Sequence, residues 1–275
     1  MHILVSNDDG YHAPGIQVLT QALRKIAKVS VVAPLRDLSG CSQSLTLERP
    51  MRKRTFKIES SDAGTANEVI AIDGTPTDCV HLAMTGLLDS TPDIVISGIN
   101  HGANMGDDVL YSGTVAAAME GRYARKASIA VSIPVFKPKY FETAAKVIAD
   151  LVEHIDNFPI HHETVLNINV PDIPYEQLKG IKVTRLGKRA RPKELVKEID
   201  PRGHEVYWIG PPGEGVDAGE GTDFSAVKNG FVSVTPLQIN LTKNEELQPL
   251  DSFFSKGLAF AEDSVLAKQS GEGQE

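Results

Sequence analysis

The strongest constraint on the fold lies in the first 34 residues. His2 to Ser6 reads as a short buried strand, Gly10 to Gly15 as a loop, and Ile16 to Ala27 as a helix with apolar residues at Ile16, Leu19, Leu23 and Ile26. Val29 to Ala33 follows as a second strand, closed by Pro34. Strand, helix and strand within one such stretch form a βαβ unit, and these units build parallel sheets. The pattern recurs, with strands predicted at Glu68 to Ile72, Asp93 to Ser97, Ile129 to Ile133 and Val165 to Val170. Helices are predicted at Pro76 to Leu88, Thr114 to Arg125 and Tyr140 to Ile155. The expected fold is α/β, a Rossmann-like, doubly wound, mainly parallel sheet with helices on both faces, over residues 1–175.

The regularity fades after residue 175. Ile181 to Leu186, Glu205 to Ile209 and Phe231 to Pro236 read as β segments, with the charged stretch Lys188 to Arg202 and an acidic Gly-rich loop, 211–221, between them. Residues 176–275 are read as a β-rich C-terminal extension of the same domain, involved in oligomerisation, because uncovered sheet edges seek partners. The final GEGQE is expected to lack fixed structure.

A net charge of −8 argues against binding nucleic-acid polymers, which takes a basic surface. An acidic enzyme acting on a small anion needs a cation at its site. The N-terminus MHILVSNDDG is too short and too acidic for a signal peptide, and no apolar run reaches the length of a membrane span. Cys41 and Cys79 read as reduced thiols, so the expected location is the cytoplasm, without membrane association.

Three loops at predicted strand ends carry the chemistry. Asn7-Asp8-Asp9-Gly10 follows the first strand directly, at the carboxyl edge where open α/β sheets bind ligands. Adjacent carboxylates repel one another unless a cation lies between them or water solvates both. As metal ligands they suit Mg²⁺ or Mn²⁺; as a solvated turn they would only cap a helix. The same loop lacks the G-x-G-x-x-G turn of a dinucleotide site, which disfavours a nucleotide-cofactor oxidoreductase. The second loop, Ser39-Gly40-Cys41-Ser42-Gln43-Ser44, offers hydroxyls and a flexible backbone. The third, 97–108, offers Asn100 and Asn104 and leads through Ser112 and Gly113 into the helix opened by Thr114, a ready anion site.

Two features read as unrelated to the site. Asp73-Gly74-Thr75 matches part of the D-x-D-G-T phosphatase motif, but Ala71 stands where the nucleophile belongs; Thr75 and Pro76 read instead as helix N-cap and first residue, with Asp78 in the first turn. His161-His162 has no partner at metal spacing and reads as surface.

The segments ILVSNDDGYHAPGI (3–16), SGCSQSLT (39–46), GTPTDCV (74–80), SGINHGANMGDDVLYSGTVAAAMEG (97–121) and GTDFSAV with VSVTPL (221–237) resemble the stationary-phase survival protein SurE family. The resemblance spans most of the chain in order. It implies a divalent metal ion, Mg²⁺ or Mn²⁺, one per subunit, held by Asp8, Asp9, Ser39 and Asn100. It also implies hydrolysis of nucleoside 5′- and 3′-monophosphates, with polyphosphate a substrate of some members, and homodimers or tetramers that exchange the extension and C-terminal segment. On this reading Asp8 or Asp9 orients or deprotonates a water, and Asn104, Ser112, Gly113, Thr114, Gly40 and Ser42 contact the phosphate or substrate; residues 112–114 are expected opposite Asp8 across the site, so that a side chain at Gly113 would block phosphate and leave metal binding intact. A non-catalytic nucleotide-binding regulator on the same fold would share the anion site but would leave the paired carboxylates without a purpose.

Overall fold

The computed structural model describes residues 1–58 and 67–257; the terminal GEGQE lies outside the described residues. Chain order begins β1 (His2–Ser6), α1 (Pro14–Arg24), β2 (Lys28–Pro34), β3 (Lys53–Ile58), β4 (Asn67–Ile72), α2 (Pro76–Leu82), β5 (Ile94–His101), α3 (Gly113–Glu120), β6 (Ser128–Ile133), α4 (Phe141–Glu153) and β7 (Val165–Asn169). It continues with β8 (Ile181–Val183), β9 (Lys188–Arg189), β10 (Val196–Ile199), β11 (Glu205–Trp208), β12 (Gly215–Asp217), α5 (Asp223–Lys228), β13 (Val232–Leu237) and α6 (Leu247–Gly257). Met1–Gln238 form one compact unit and Ile239–Glu275 a second, whose described part contains the amphipathic α6. The change in composition at residue 175 therefore does not mark the edge of the first unit.

The main sheet runs β3-β4-β2-β1-β5-β6-β7-β13-β8 among the described residues. The six strands from β4 to β7 are mutually parallel, while β3 and β13 pair antiparallel with β4 and β7. From β1 the chain winds outward to β2 and β4, then returns to β5 on the other side of β1. The order reverses between β1 and β5, and such a switch point opens a crevice at the carboxyl ends of the strands.

Alternation along the strands builds the two faces of the sheet. Ile3 and Val5 of β1 and Ile94 and Ile96 of β5 join one core with Ile16, Leu19 and Leu23 of α1 and Val147 and Ile148 of α4. Leu4 and Val95, between them, face the other way and pack with Cys79 and Val80 of α2 and Ala117 of α3. The result is three layers. Each fully buried Leu or Ile contributes roughly 1.5–3 kcal/mol of transfer free energy.

Several elements differ from expectation. The helix predicted to run to Leu88 ends at Leu82 and widens into a π-helical turn, Ala83–Leu87. The helix predicted to run to Arg125 ends at Glu120 and tightens into a 3₁₀ turn from Gly121. β3 was not legible because it is an edge strand of charged composition, KRTFKI, defined by its ladder with β4. The charged stretch 188–202, read as a separator between β segments, carries β9 and β10; β10 forms a hairpin with β11. The acidic loop 211–221 carries β12, which pairs with β9. The predicted start of α2 is present in full: Thr75 is the N-cap, Pro76 follows, and Thr75 and Asp78 form a reciprocal capping box.

Candidate active site

The crest of β1 lies at the switch point, and Asp8 and Asp9 stand on it. They are only 3% and 6% exposed, which excludes the solvated acidic turn. Burying two adjacent carboxylates is costly unless each finds partners. Asp8 finds two on α3, 106 residues away: Thr114 donates its Oγ1–H to Oδ1 at 2.5 Å and its N–H to Oδ2 at 3.1 Å. Burial nonetheless raises the Asp8 carboxyl above the ordinary range, against these hydrogen bonds. Asp9 is less well served. His101 Nδ1 lies 2.8 Å from Asp9 Oδ1, but not in line for a directed hydrogen bond, so this buried oxygen has no well-aimed donor. Burial, and then the charge of Asp8, push the Asp9 carboxyl up to about 6, with His101 opposing.

A third carboxylate lies within electrostatic reach. Asp37 adds to the repulsion on both Asp8 and Asp9. Its own burial is outweighed by the Ser39 Oγ–H and N–H donated to its Oδ1, at 2.7 and 2.8 Å, which hold it below the usual carboxylate range. Ser39 gives its proton to Asp37, so its Oγ lone pairs remain to accept. The loop itself is fixed to the crest by Leu38 N–H donating to the Asp8 carbonyl at 2.9 Å. Asn100 lies at the end of β5, beside β1, and its Nδ2 donates to the Gly102 carbonyl at 3.0 Å, which leaves its Oδ1 as an acceptor. Among the described residues no three His, Cys, Asp or Glu side chains are grouped so as to hold a metal ion. The oxygen donors here are instead two carboxylates, an amide and a hydroxyl. This hard, oxygen-only set fits Mg²⁺ or Mn²⁺. The unsatisfied Asp9 Oδ1 and the buried, unpartnered Asn7 Oδ1 of the same loop agree with a cation at the crest.

The residues expected to contact phosphate are near, but several of their donors are already engaged. Asn104 is buried in a polar network under the loop: its Nδ2 donates to Ser132 Oγ, and its carbonyl accepts from Asn167 and Asn169. Ser42, at φ +55°, donates its Oγ–H to the Leu110 carbonyl and its N–H to that of Tyr111, tying the second loop to the third. Gly40 is an exposed turn residue at φ +75°. Ser112 caps α3 by accepting the Val115 N–H at 3.0 Å. The N–H of Gly113 has no protein acceptor among the described residues.

One expectation requires correction. Residues 112–114 were placed across the site from Asp8, so that a side chain at Gly113 would block phosphate without touching the metal ligands. They are in contact with Asp8 instead. A Cβ at Gly113 would lie 2.8 Å from Asp8 Cβ, and 3.0 Å from both Asp8 Oδ2 and Cys41 Sγ. The α3 start packs directly on the carboxylate that it holds.

Sequence reasoning missed His101, Asp37 and the bracing role of Thr114. His101 sat within a quoted motif, and its adjacency to Asn100 was the available signal. Nothing local distinguished Asp37. Asp78, recognised only as a first-turn residue, also accepts Thr46 N–H and Oγ1–H at 2.9 and 2.6 Å, pinning the end of the Ser39 loop to α2. His161 and His162 are exposed, as expected.

The chain is also similar to known proteins. Residues 3–193 match the family described as "Survival protein SurE". The chain is 54% identical over 255 residues to the 5′-nucleotidase SurE of Alkalilimnicola ehrlichii, covering 93% of this chain and 96% of the relative. It is 54% identical over 253 residues to that of Methylococcus capsulatus, covering 92% and 97%. Its fold is similar to the crystal structure of the SurE protein from Aquifex aeolicus, with a TM-score of 0.77 and 45% identity over 92% of this chain and 99% of that one.

Proposed function

The chain belongs to the SurE family, and from that premise we propose that it is a metal-dependent phosphomonoesterase releasing phosphate from nucleoside 5′-monophosphates, with 3′-monophosphates and polyphosphate as further substrates. The coarser part, nucleotidase activity, rests on relatives named 5′-nucleotidase over nearly their whole length. The finer part rests on one observation above all: two adjacent buried carboxylates at the switch point, one of them lacking a directed partner. A binding protein for anionic nucleotides is repelled by uncompensated carboxylates, whereas a metal-assisted hydrolase uses such carboxylates as oxygen ligands to its cation.

Asp8, Asp9, Asn100 and Ser39 would hold one Mg²⁺ or Mn²⁺ per subunit. Bound there, the ion supplies charge neutralisation and polarisation of the phosphoryl group. The remaining work falls to the chain. Thr114 holds Asp8 in one orientation through two hydrogen bonds. Asp9 is the candidate base for the attacking water, with His101 Nδ1 2.8 Å from its Oδ1. The Gly113 N–H, at the start of α3, would donate to a non-bridging phosphate oxygen as charge builds. Buried Asn104, Ser132, Asn167 and Asn169 brace the loop that carries Asn100 and His101.

The test is phosphate release from a panel of nucleoside 5′- and 3′-monophosphates. EDTA treatment is expected to abolish turnover, and Mn²⁺ or Mg²⁺ to restore it. Full activity in the metal-free protein would overturn the metal-dependent reading. Tight nucleotide binding without release of phosphate would favour the regulator instead.

A further inference from the structure

Asp223 lies well outside the three loops described above and is fully buried at the first turn of α5. Its carboxylate collects three main-chain donors. Oδ2 accepts from Gly106 N–H at 2.8 Å, and Oδ1 accepts from Gly187 N–H and from its own neighbour Phe224 N–H, both at 2.9 Å. Gly106 opens the 3₁₀ turn Gly106–Leu110, at φ +55°, so close to α5 that a Cβ there would lie 2.9 Å from the Phe224 ring. Arg189 of β9 grips the same turn. Its N–H reaches Asp107 at 3.1 Å, its Nε reaches Asp108 at 2.7 Å, and its guanidinium stacks 5.0 Å from the centre of the Phe224 ring.

The far end of the turn leads into the site. The carbonyls of Leu110 and Tyr111 receive Ser42, which fixes the Ser39 loop. Ser112 then caps α3, and Thr114 holds Asp8. We propose that Asp223, with Arg189, is a positioning residue for the hydrolytic reaction. It sets the register of the Gly106–Tyr111 turn, and through it the Ser42 contact and the Thr114 brace on Asp8. The proposal rests on the nucleotidase reading for its kinetic consequences, but not for its structural ones.

The chemistry at Asp223 calls for a carboxylate. Three N–H groups converge on two oxygens, and an amide would offer one oxygen and turn its own N–H₂ toward a donor. Asp223→Asn in the full chain is therefore expected to loosen the turn. KM for a nucleoside 5′-monophosphate and the Mn²⁺ concentration for half-maximal activity should both rise about tenfold or more, because small displacements of a positioned group are costly. Amide exchange should accelerate in peptides covering 102–114 and 39–46, while β1 and β6 stay protected.

A purely structural role predicts something different: less folded enzyme, a uniform rise in exchange, and unchanged KM and Mn²⁺ dependence. That result, or kinetics within twofold of the parent in a folded variant, would overturn the proposal. If Asp223→Asn does not fold, Arg189→Met removes the contacts to Asp108 and leaves Asp223 in place. It is expected to show the same localised exchange and a smaller rise in KM, and unchanged exchange in 102–114 would overturn the proposal. Should the parent protein itself fail to hydrolyse nucleotides, the nucleotidase reading falls, and the exchange pattern still decides the role of Asp223.

Discussion

Asp9 carries an energetic cost that the rest of the fold tolerates. An unfolded aspartate titrates near 3.8, whereas Asp9 in the folded, metal-free protein titrates at about 6, first because it is buried and then because Asp8 lies beside it. Between those values the native state binds more protons than the unfolded state. By linkage, stability then falls as pH rises through the window, and the penalty is complete above the folded value. The raised Asp8 adds in the same direction. At about 1.4 kcal/mol per unit, the cost of Asp9 at neutral pH is on the order of 1–3 kcal/mol. Metal-free protein should therefore melt several degrees higher at a pH of about 5 than the Asp8 and Asp9 charges would allow at about 7.5. Asp9→Asn should raise the neutral-pH melting temperature of the metal-free form, flatten its pH dependence and abolish phosphate release. Calorimetry across this range checks the prediction, and an equal slope in parent and variant would contradict it.

At the scale of elements, α3 ties the proposed anion site to the proposed metal ligand Asp8. Its N-terminal residues were readable as a helix start from Ser112 and Gly113, and Ala116, Ala117 and Ala118 behind them are buried. Its partner was not readable, because Asp8 precedes Thr114 by 106 residues. This contact reverses an expectation about Gly113→Val. A side chain at Gly113 must displace Asp8 or Cys41, so the variant should lose Mn²⁺ affinity along with kcat/KM, each by about tenfold or more. Titration calorimetry with Mn²⁺ separates this from a change confined to the phosphate side, in which metal affinity would survive. The contrast with α2 is instructive. Its capping box is local, spans Thr75 to Asp78, and was legible residue by residue.

At the scale of the whole molecule, strand order places the site and the extension supports it. The reversal between β1 and β5 brings the Asp8–Asp9 crest next to Asn100 and His101. The last strands leave apolar surface uncovered: Ile181 and Val183 on the edge strand β8, and Ile199, Tyr207 and Trp208 on the β10–β11 hairpin, are all more than half exposed. Exposed edges and aromatic surface of this kind favour association. The chain is expected to be a homodimer or tetramer, and light scattering at micromolar concentration should give at least twice the mass of one chain. A monomer would contradict this, as would an unchanged mass in a Trp208→Glu, Ile199→Glu variant of a tetrameric parent.

The sequence alone determined what short-range physics controls: the βαβ alternation, the buried strand leading into Asp8 and Asp9, the helix starts at Thr75 and Ser112, and the motifs shared with the SurE family. Periodicity and capping act within a few residues, so they survive without knowledge of the fold. The tertiary structure decided the rest. It buried the acidic pair rather than solvating it, brought Asp37 and His101 beside it, and turned Thr114, Ser42 and Asn104 inward as braces. It also joined Asp223 to Gly106 across 117 residues. These contacts depend on which strand ends become neighbours. A sheet that reverses its order at β1 juxtaposes loops far apart in the chain, and no local pattern encodes their hydrogen bonds.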